Sequence, residues 1–579
     1  MQMNDQTPRI LLVAVNAKYI HSNPAVYSLS AYAASLGFAA ETAEFTINQP
    51  EDEVLACIYR AAPDIVCFSV YIWNRVFTER LIRSLKKVLP GTEIWAGGPE
   101  VSFHSEEVLK EMPEITGIMR GEGEKTFAGL CRVWTKTGEG YEDIPGITYR
   151  YGSREIRSNP DQPCMNMDEI PFLYAGRSFD SSRIYYYESS RGCPYRCTYC
   201  LSSVDKTVRT SSLEKVFAEL SVFLSHKVSQ VKFVDRTFNL DAERTMAIWR
   251  FIKENDNGIT GFHFEISGER LSEEEISLLS KMRPGQVRLE IGIQSTNPDT
   301  LSAIERHGDT GRLFENCRRI LKPGNIRLHL DLIAGLPHED LDSFRRSFNE
   351  VYALKPSELQ LGFLKVLKGT PMEERTEEYG LVFKGLPPYE VLSTSVLSYG
   401  DILLLKDVEE MTEVYYNSGQ FIHSLKMLEK CFPDDFAMYE ALAAFCRTKK
   451  LTGISHSRIR RYEILLDFYT ETVQEGDREK FAKALLLDLY ARENLKNRPS
   501  FAPEYGISKE EERAFYEREA EEHRFLPDYT ENAQTLKRLT HLEAVPGGIV
   551  LFDYRNRNPV TGNAREIYLE KTLALYKYR

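Results

Sequence analysis

The stretch YYYESSRGCPYRCTYC, Tyr185 to Cys200, decides how the rest of this chain is read. Its opening residues, Tyr185–Ser189, suit a β-strand, and a loop of pattern C-x3-C-x2-C hangs from the strand's carboxyl end. Cysteine sulfur is the usual ligand of iron–sulfur clusters, so Cys193, Cys197 and Cys200 suit three irons of a [4Fe–4S] cluster. The fourth iron is then left open to bind and activate another molecule. Structural zinc instead takes four ligands, normally from two separated pairs, and no second C-x2-C occurs in the 579 residues.

Downstream of the loop, strand and helix signals alternate. A helix at Leu213–Leu224 precedes strands at Val231–Val234, Phe262–Ile266, Val287–Ile293, Ile326–Ile333 and Glu358–Leu364. Repeated βα units predict a partial or complete parallel barrel over residues 183–390, with its chemistry at the carboxyl ends of the strands. Polar residues fall there: Asp235 and Asn239, then Glu265, then Glu290 and Gln294 four apart on one strand face, then Asp331 in DLIAGLP (Asp331–Pro337). Any one of them reads as a cap or a strand-end turn. Their convergence on one cysteine loop reads as a site.

Upstream, residues 1–140 carry short apolar runs at Arg9–Val15, Glu41–Ile47, Asp64–Val70, Glu93–Ala96 and Ile115–Met119. Helical segments, such as Ala25–Ser35 and Phe77–Val88, separate them, which predicts a doubly wound parallel sheet. Ligands of such sheets sit beyond the carboxyl ends of the strands. The loops at those ends read NAKYIHSNP (Asn16–Pro24), SVYIWN (Ser69–Asn74), GGPE (Gly97–Glu100) and RGEGE (Arg120–Glu124). Paired glycines there let a bulky ligand approach the backbone closely.

Residues 141–182 read as a connecting strap with a short hairpin at Gly146–Arg157. From 391 to 579 the texture turns helical, with segments at Gln420–Lys430, Asp435–Thr448, Ser457–Gln474 and Arg478–Leu495. Asp434 and Ser455 are expected caps. A terminal hairpin is expected between Gly547–Tyr554 and Ala564–Leu569. The position of this region predicts a cap over the barrel.

The cysteine loop and the DLIAGLP run resemble radical S-adenosylmethionine (radical SAM) enzymes. The Gly-Gly-Pro and Gly-Glu-Gly-Glu loops look like the cobalamin-binding domain of the cobalamin-dependent members, and 391–579 like a helical domain appended to some of them. The resemblance implies an α/β multidomain chain: a Rossmann-like cobalamin domain, a (β/α) radical SAM partial barrel and a mostly helical C-terminal domain. It implies that Cys193, Cys197 and Cys200 hold the cluster, that Tyr199 shields it, and that S-adenosylmethionine chelates the open iron. Asp235 and Asn239 then stand on the methionine amine side. Glu265, Gln294 and Asp331 surround the ribose and sulfonium, and Arg306 pairs the methionine carboxylate. Ser69, Gly97, Gly98 and Gly121 line the nucleotide tail of the corrin. Two departures are plain. The second barrel strand lacks the commoner Gly-Gly-Glu-Pro form. The loop after the first strand reads Asn16-Ala17-Lys18 where many cobalamin domains carry D-x-H-x-x-G. His21 lies three residues beyond; a neutral imidazole can ligate cobalt, though loop histidines more often form hydrogen bonds.

Methyl transfer to an unactivated carbon is the commonest outcome on this architecture; cyclisation and rearrangement also occur. The expected partners are a small-molecule or peptide substrate and an electron donor such as flavodoxin or ferredoxin. A net charge of -12 argues against nucleic acid as partner. No stretch approaches the ~20 apolar residues of a membrane span, and the expected location is cytoplasmic. The other seven cysteines, from Cys57 to Cys446, are scattered and read as reduced thiols. An RNA methylthiotransferase would need a second cluster from further N-terminal cysteines, where only Cys57 and Cys67 are found near the start, and usually a basic appendage. A cluster or corrinoid sensor or carrier would have no use for the S-adenosylmethionine positions.

Overall fold

The computed structural model describes residues 7–570 apart from 139, 153, 154, 505, 546 and 547. Ser153, Arg154 and Gly547, which belong to the two expected hairpins, therefore lie outside the described residues. Seven strands form the first sheet: β1 (Ile10–Asn16), β2 (Glu41–Thr46), β3 (Ile65–Ser69), β4 (Glu93–Gly97), β5 (Gly117–Met119), β6 (Ile147–Tyr151) and β7 (Glu155–Ser158). Their order is β2-β1-β3-β4-β5-β6-β7. β1 to β5 run parallel. Every residue of β1 and β3 is buried, as strands covered on both faces require. The helix Pro24–Ser35 begins where the Asn23 side chain accepts the Val26 N–H and Pro24 fills the first turn. Ser69 pairs with Gly97 and Gly97 with Met119, so the loops after β3, β4 and β5 leave the sheet at one edge.

The hairpin expected within the strap is part of this sheet. β6 runs antiparallel to β5, and β7 to β6. β5 is only three residues long and would otherwise end the sheet with unpaired backbone; the buried Ile147, Thr148 and Tyr149 cover that edge.

The second sheet opens with β8 (Ile184–Tyr187). A small clasp, β9 (Ser190–Arg191) and β10 (Arg209–Thr210), follows it. β11 (Gln230–Phe233), β12 (Gly261–Glu265), β13 (Val287–Gln294), β14 (Arg327–Ala334) and β15 (Glu358–Phe363) complete six parallel strands in the order β15-β14-β13-β12-β11-β8. This is a partial barrel. Along β13 fully and partly buried residues alternate, one face packed under helices and the other lining the lumen. The free edge of β8 is covered from the first domain and the strap. Ile184 N–H donates to Ile20 O at 2.9 Å. The Tyr174 hydroxyl accepts the Tyr186 N–H at 3.1 Å and donates to its carbonyl at 2.9 Å.

Beyond the short pair β16 (Val382–Phe383) and β17 (Val391–Ser393) come the helices Tyr399–Met411, Asp435–Thr448, Arg458–Thr472 and Arg478–Arg492. β18 (Thr540–Val545), β19 (Gly548–Arg557) and β20 (Ala564–Glu570) form an antiparallel sheet that contains the expected hairpin. Asp434 caps its helix as expected, but the next cap is Ser457 in place of Ser455, its side chain accepting the Arg460 N–H. The helices of this domain pack on the helix Leu341–Tyr352, where Phe348 and Tyr352 meet Phe436 and Tyr439. The domain also reaches the amino ends of the strands, away from the cysteine loop. Tyr416 donates to Pro356 O at 2.5 Å, ahead of β15. The Asn417 amide accepts from and donates to the Leu359 backbone at 2.9 Å each. The mouth is instead bordered by residues 364–397: Met372 N–H donates to Thr198 O at 3.0 Å, and the Tyr389 hydroxyl to Glu100 at 2.8 Å. Among the described residues, no helix is long and apolar enough to cross a membrane.

Candidate functional site

The cysteine loop is held from several sides. β9 and β10 close its neck, Cys193 N–H donates to Asp205 O at 3.1 Å, and Thr198 N–H donates to Ile304 O at 3.1 Å. Cys193 and Cys197 are buried and Cys200 is half-buried. Arg306 is placed against the loop, Nη1 lying 3.7 Å from Cys197 Sγ while Nη2 donates to Gly292 O. Tyr199 packs on the main hydrophobic core beside them. Among the described residues, the groups compact enough for one ion are Glu122–Cys164–Asp205 and Glu290–His329–Asp331; the cysteine triad is not one of them. The spread thiols fit a cluster better than a single zinc. The first of those groups is already served by Arg209, whose guanidinium pairs with both carboxylates.

Two expected ligand-binding residues are occupied in holding the scaffold. Asp235 is buried, accepting from Ser189 N (2.8 Å), Ser189 Oγ (2.6 Å) and Ser190 Oγ (2.8 Å). Burial pushes its pKa up to about 6 in spite of those bonds. Asn239 is buried too; its amide accepts the Ser267 N–H at 2.8 Å and donates to the Ser267 carbonyl at 3.0 Å. Both therefore fix loops around the mouth.

Glu265 and Asp331, on the lumen face of β12 and β14, lie close enough to influence each other, and Gln294 stands at the end of β13 between those strands. They form part of a larger polar layer that includes Lys232, His263, Glu290 and His329. Lys232 Nζ lies 3.2 Å from Glu290 and 3.7 Å from Glu265. His263 Nε2 lies 2.8 Å from Glu290, and His329 Nε2 2.9 Å from Asp331. Burial works against the Glu290 carboxylate, but His263 and Lys232 outweigh it and hold its pKa low. Burial raises the pKa of Glu265 and of Asp331. Lys232 and His263 were missed as site residues. Their signal was present: charged or polar residues at every second position of otherwise apolar strands. Gln294 sits at a register shift with φ 72°, which turns it away from the regular strand path. Gln294 Oε1 is buried without a hydrogen-bond partner among the described residues, whereas Asp331 Oδ1 and His329 Nε2 face each other. A stranded polar atom of this kind asks for a polar ligand.

Above the mouth, a cavity of about 1060 Å³ lies between the two sheets. Ser69, Gly97, Gly98 and Gly121 line one wall; Tyr186, Glu188, Arg191 and Gly192, from β8 and the cysteine loop, line the other. Gly98 has φ 109°, and a Cβ there would lie 2.4 Å from Val70 O. Gly121 has φ 69° and no atom within 4 Å of where a Cβ would stand, so the backbone is bare toward the cavity. Asn74 ties the ends of β1 and β3 by donating to Val15 O and Ser69 O at 2.9 Å each. Tyr71 and Trp73 stack at 4.5 Å on this wall. His21 lines the cavity as well, with Nδ1 2.7 Å from the Tyr186 hydroxyl. Burial and the nearby Lys18 lower its pKa, which favours the neutral ring.

Compared with known proteins, residues 10–131 match the B12 binding domain and residues 187–351 the Radical SAM superfamily. Residues 377–561 match a family described as protein of unknown function (DUF4080). The chain is 25% identical over 339 residues to the 2-(S-pantetheinyl)-carbapenam-3-carboxylate methyltransferase of Streptantibioticus cattleyicolor, covering 55% of this chain and 50% of that protein. It is 27% identical over 302 residues to an uncharacterized methyltransferase of Pyrococcus horikoshii, covering 50% of this chain and 63% of that one. The chain thus spans about half the length of the first of these relatives and less than two thirds of the second. In fold it resembles OxsB, a cobalamin-dependent S-adenosylmethionine radical enzyme (TM-score 0.59, 17% identity, 84% of this chain and 79% of that one). It also resembles TsrM from Kitasatospora setae, a radical S-adenosylmethionine methyltransferase (TM-score 0.55, 18% identity, 66% of this chain and 80% of that one). The chain therefore joins a B12-binding domain to a radical SAM domain and carries a third domain of unassigned role.

Proposed function

We propose that this chain, a B12-binding domain joined to a radical SAM domain, is a cobalamin-dependent enzyme that methylates an unactivated carbon of a small-molecule or peptide substrate. One observation carries the reading: the glycine-lined strand ends of the first sheet and the residues on either side of the cysteine array, Gly192 and Leu201, open onto the same cavity. Bound together, a [4Fe–4S] cluster, S-adenosylmethionine and cobalamin supply an electron, a hydrogen-abstracting radical and a methyl group. The protein's part is to position the reactants and exclude water.

In this reading Cys193, Cys197 and Cys200 hold three irons, and Tyr199 screens them. Arg306, fixed by the Gly292 carbonyl, offers a cation beside the loop for the methionine carboxylate. Gln294, with a buried oxygen lacking a partner among the described residues, holds the ribose and sulfonium side together with Glu265 and the His329-paired Asp331. Ser69, Gly97, Gly98 and Gly121 admit the nucleotide tail of the corrin. Asp235 and Asn239 serve by locking Ser189, Ser190 and Ser267 in place. A cytoplasmic location and a flavodoxin- or ferredoxin-type electron donor belong to the same reading.

Anaerobic reconstitution followed by metal, corrin and product analysis tests it. The expected result is about four irons with one corrin per chain, and S-adenosylhomocysteine formed alongside methionine and deoxyadenosine. Zinc without iron or corrin would overturn it. A second reading, radical cyclisation, is favoured by the 28% identity over 261 residues to the anaerobic magnesium-protoporphyrin IX monomethyl ester cyclase of Synechocystis. Turnover yielding deoxyadenosine and methionine without S-adenosylhomocysteine would select it.

A further inference from the structure

The Gly-Glu-Gly-Glu loop does more than bare its backbone to the cavity: its two carboxylates reach across to the neck of the cysteine loop. Glu122 precedes, and Glu124 lies in the first turn of, the helix Gly123–Trp134, where the helix amino terminus favours negative charge. Arg191 and Arg209 are direct partners in the β9–β10 clasp, which closes the loop bearing all three cysteines. Arg191 Nη2 donates to Glu124 Oε1 at 2.9 Å and Nη1 to Glu124 Oε2 at 3.3 Å. The same guanidinium is steadied by Glu188 at 2.7 and 3.0 Å. Glu124 is 4% exposed and takes a further bond from Ser28 Oγ at 2.7 Å. Arg209 Nη2 lies 2.5 Å from Glu122 Oε1 and 2.8 Å from Asp205, while Nη1 donates to Met165 O at 3.0 Å. Asp205 is the residue whose carbonyl accepts the Cys193 N–H.

We propose that Arg191 with Glu124, and Arg209 with Glu122, form a two-point ionic clamp that positions the cysteine loop against the B12-binding domain. The four are positioning residues: they set the separation and orientation of the two halves of the cavity. The proposal rests on the functional reading above for its purpose, but the clamp itself is a property of the chain. The bidentate Arg191–Glu124 pairing fixes direction as well as distance, and the burial of Glu124 makes each partner depend on the other, while the Arg209–Glu122 contact adds a second anchor point.

Amide hydrogen exchange on the chain without cofactors tests the clamp directly. Glu124→Gln and the charge-preserving Arg191→Lys should each make amides of residues 192–208 exchange about tenfold faster, with the barrel strands unchanged. Lys125→Ala, which removes the neighbouring exposed Lys125–Glu169 pair, should leave 192–208 unchanged. Unchanged protection of 192–208 in both clamp variants would overturn the proposal. In reconstituted protein, the magnetic interaction between the reduced cluster and cob(II)alamin adds a readout that a merely structural role would not move. It should weaken or broaden in Glu124→Gln at unchanged iron and corrin content; an unaltered signal would count against a positioning role. Wild-type protein that binds neither iron nor corrin would instead defeat the functional reading and leave the exchange result to decide the clamp.

Discussion

Asp235 is a strand-end carboxylate with protein partners of its own. In the sequence it stands where a ligand contact is expected; in the fold it accepts three bonds from Ser189 and Ser190, at the base of the cysteine loop. Burial raises its pKa from the ordinary 3.8 to about 6, so the folded chain binds its proton more tightly than the unfolded chain does. The sign follows: this contribution to stability is fully present below about pH 4 and is lost as pH rises through about 6, an effect of about 3 kcal/mol by neutral pH. In Asp235→Asn the titration is removed. The melting temperature of the variant minus that of the wild type should therefore climb between about pH 4 and pH 7. Parallel melting curves over that range would show that Asp235 is not the titrating group.

The loops at the ends of β4 and β5 carry the next test, because their two glycines differ in what surrounds them. Gly98 combines φ 109° with Val70 O only 2.4 Å from a Cβ, so the loop has no room for a side chain. Gly98→Ala should cost on the order of 1–3 kcal/mol of stability, since both strain and a clash must be relieved. Gly121 has φ 69° but open space, so Gly121→Ala should cost only about 1–2 kcal/mol. Its methyl group would enter the cavity, and corrin affinity should fall more than stability does. Thermal melts with cobalamin titrations on both variants check the pair; equal losses of stability would contradict the geometry.

Part of the C-terminal domain reaches the amino end of the barrel strands. Asn417 illustrates the consequence: its single amide satisfies both backbone groups of Leu359 on β15. Asn417→Ala should destabilise the chain by about 1–3 kcal/mol through two unpaired backbone groups. Affinity for S-adenosylmethionine should stay unchanged, because the contact lies at the amino end of the strands. Denaturant unfolding and ligand titration on the same variant separate the two, and a fall in affinity would place this part of the domain closer to the mouth than the fold has it.

Much was legible without coordinates. The cysteine triad is local chemistry: three ligands within eight residues declare themselves whatever surrounds them. The strands of both sheets were readable because burial on both faces demands unbroken apolar runs, and a polar lumen demands alternation. Even the polar layer was half visible, in Glu265, Gln294 and Asp331. What the folded chain alone decided were contacts between residues distant in sequence. The use of Asp235 depends on Ser189, 46 positions away. The pairing of Glu124 with Arg191 spans 67 positions. The hairpin of β6 and β7 joined the first sheet because β5 needed an edge partner, and the helical domain settled on the helix Leu341–Tyr352. Residue type and spacing record what a segment can bind or bury. Which neighbour satisfies it is settled by the free energy of the assembled chain, and nothing in a local run of residues carries that choice.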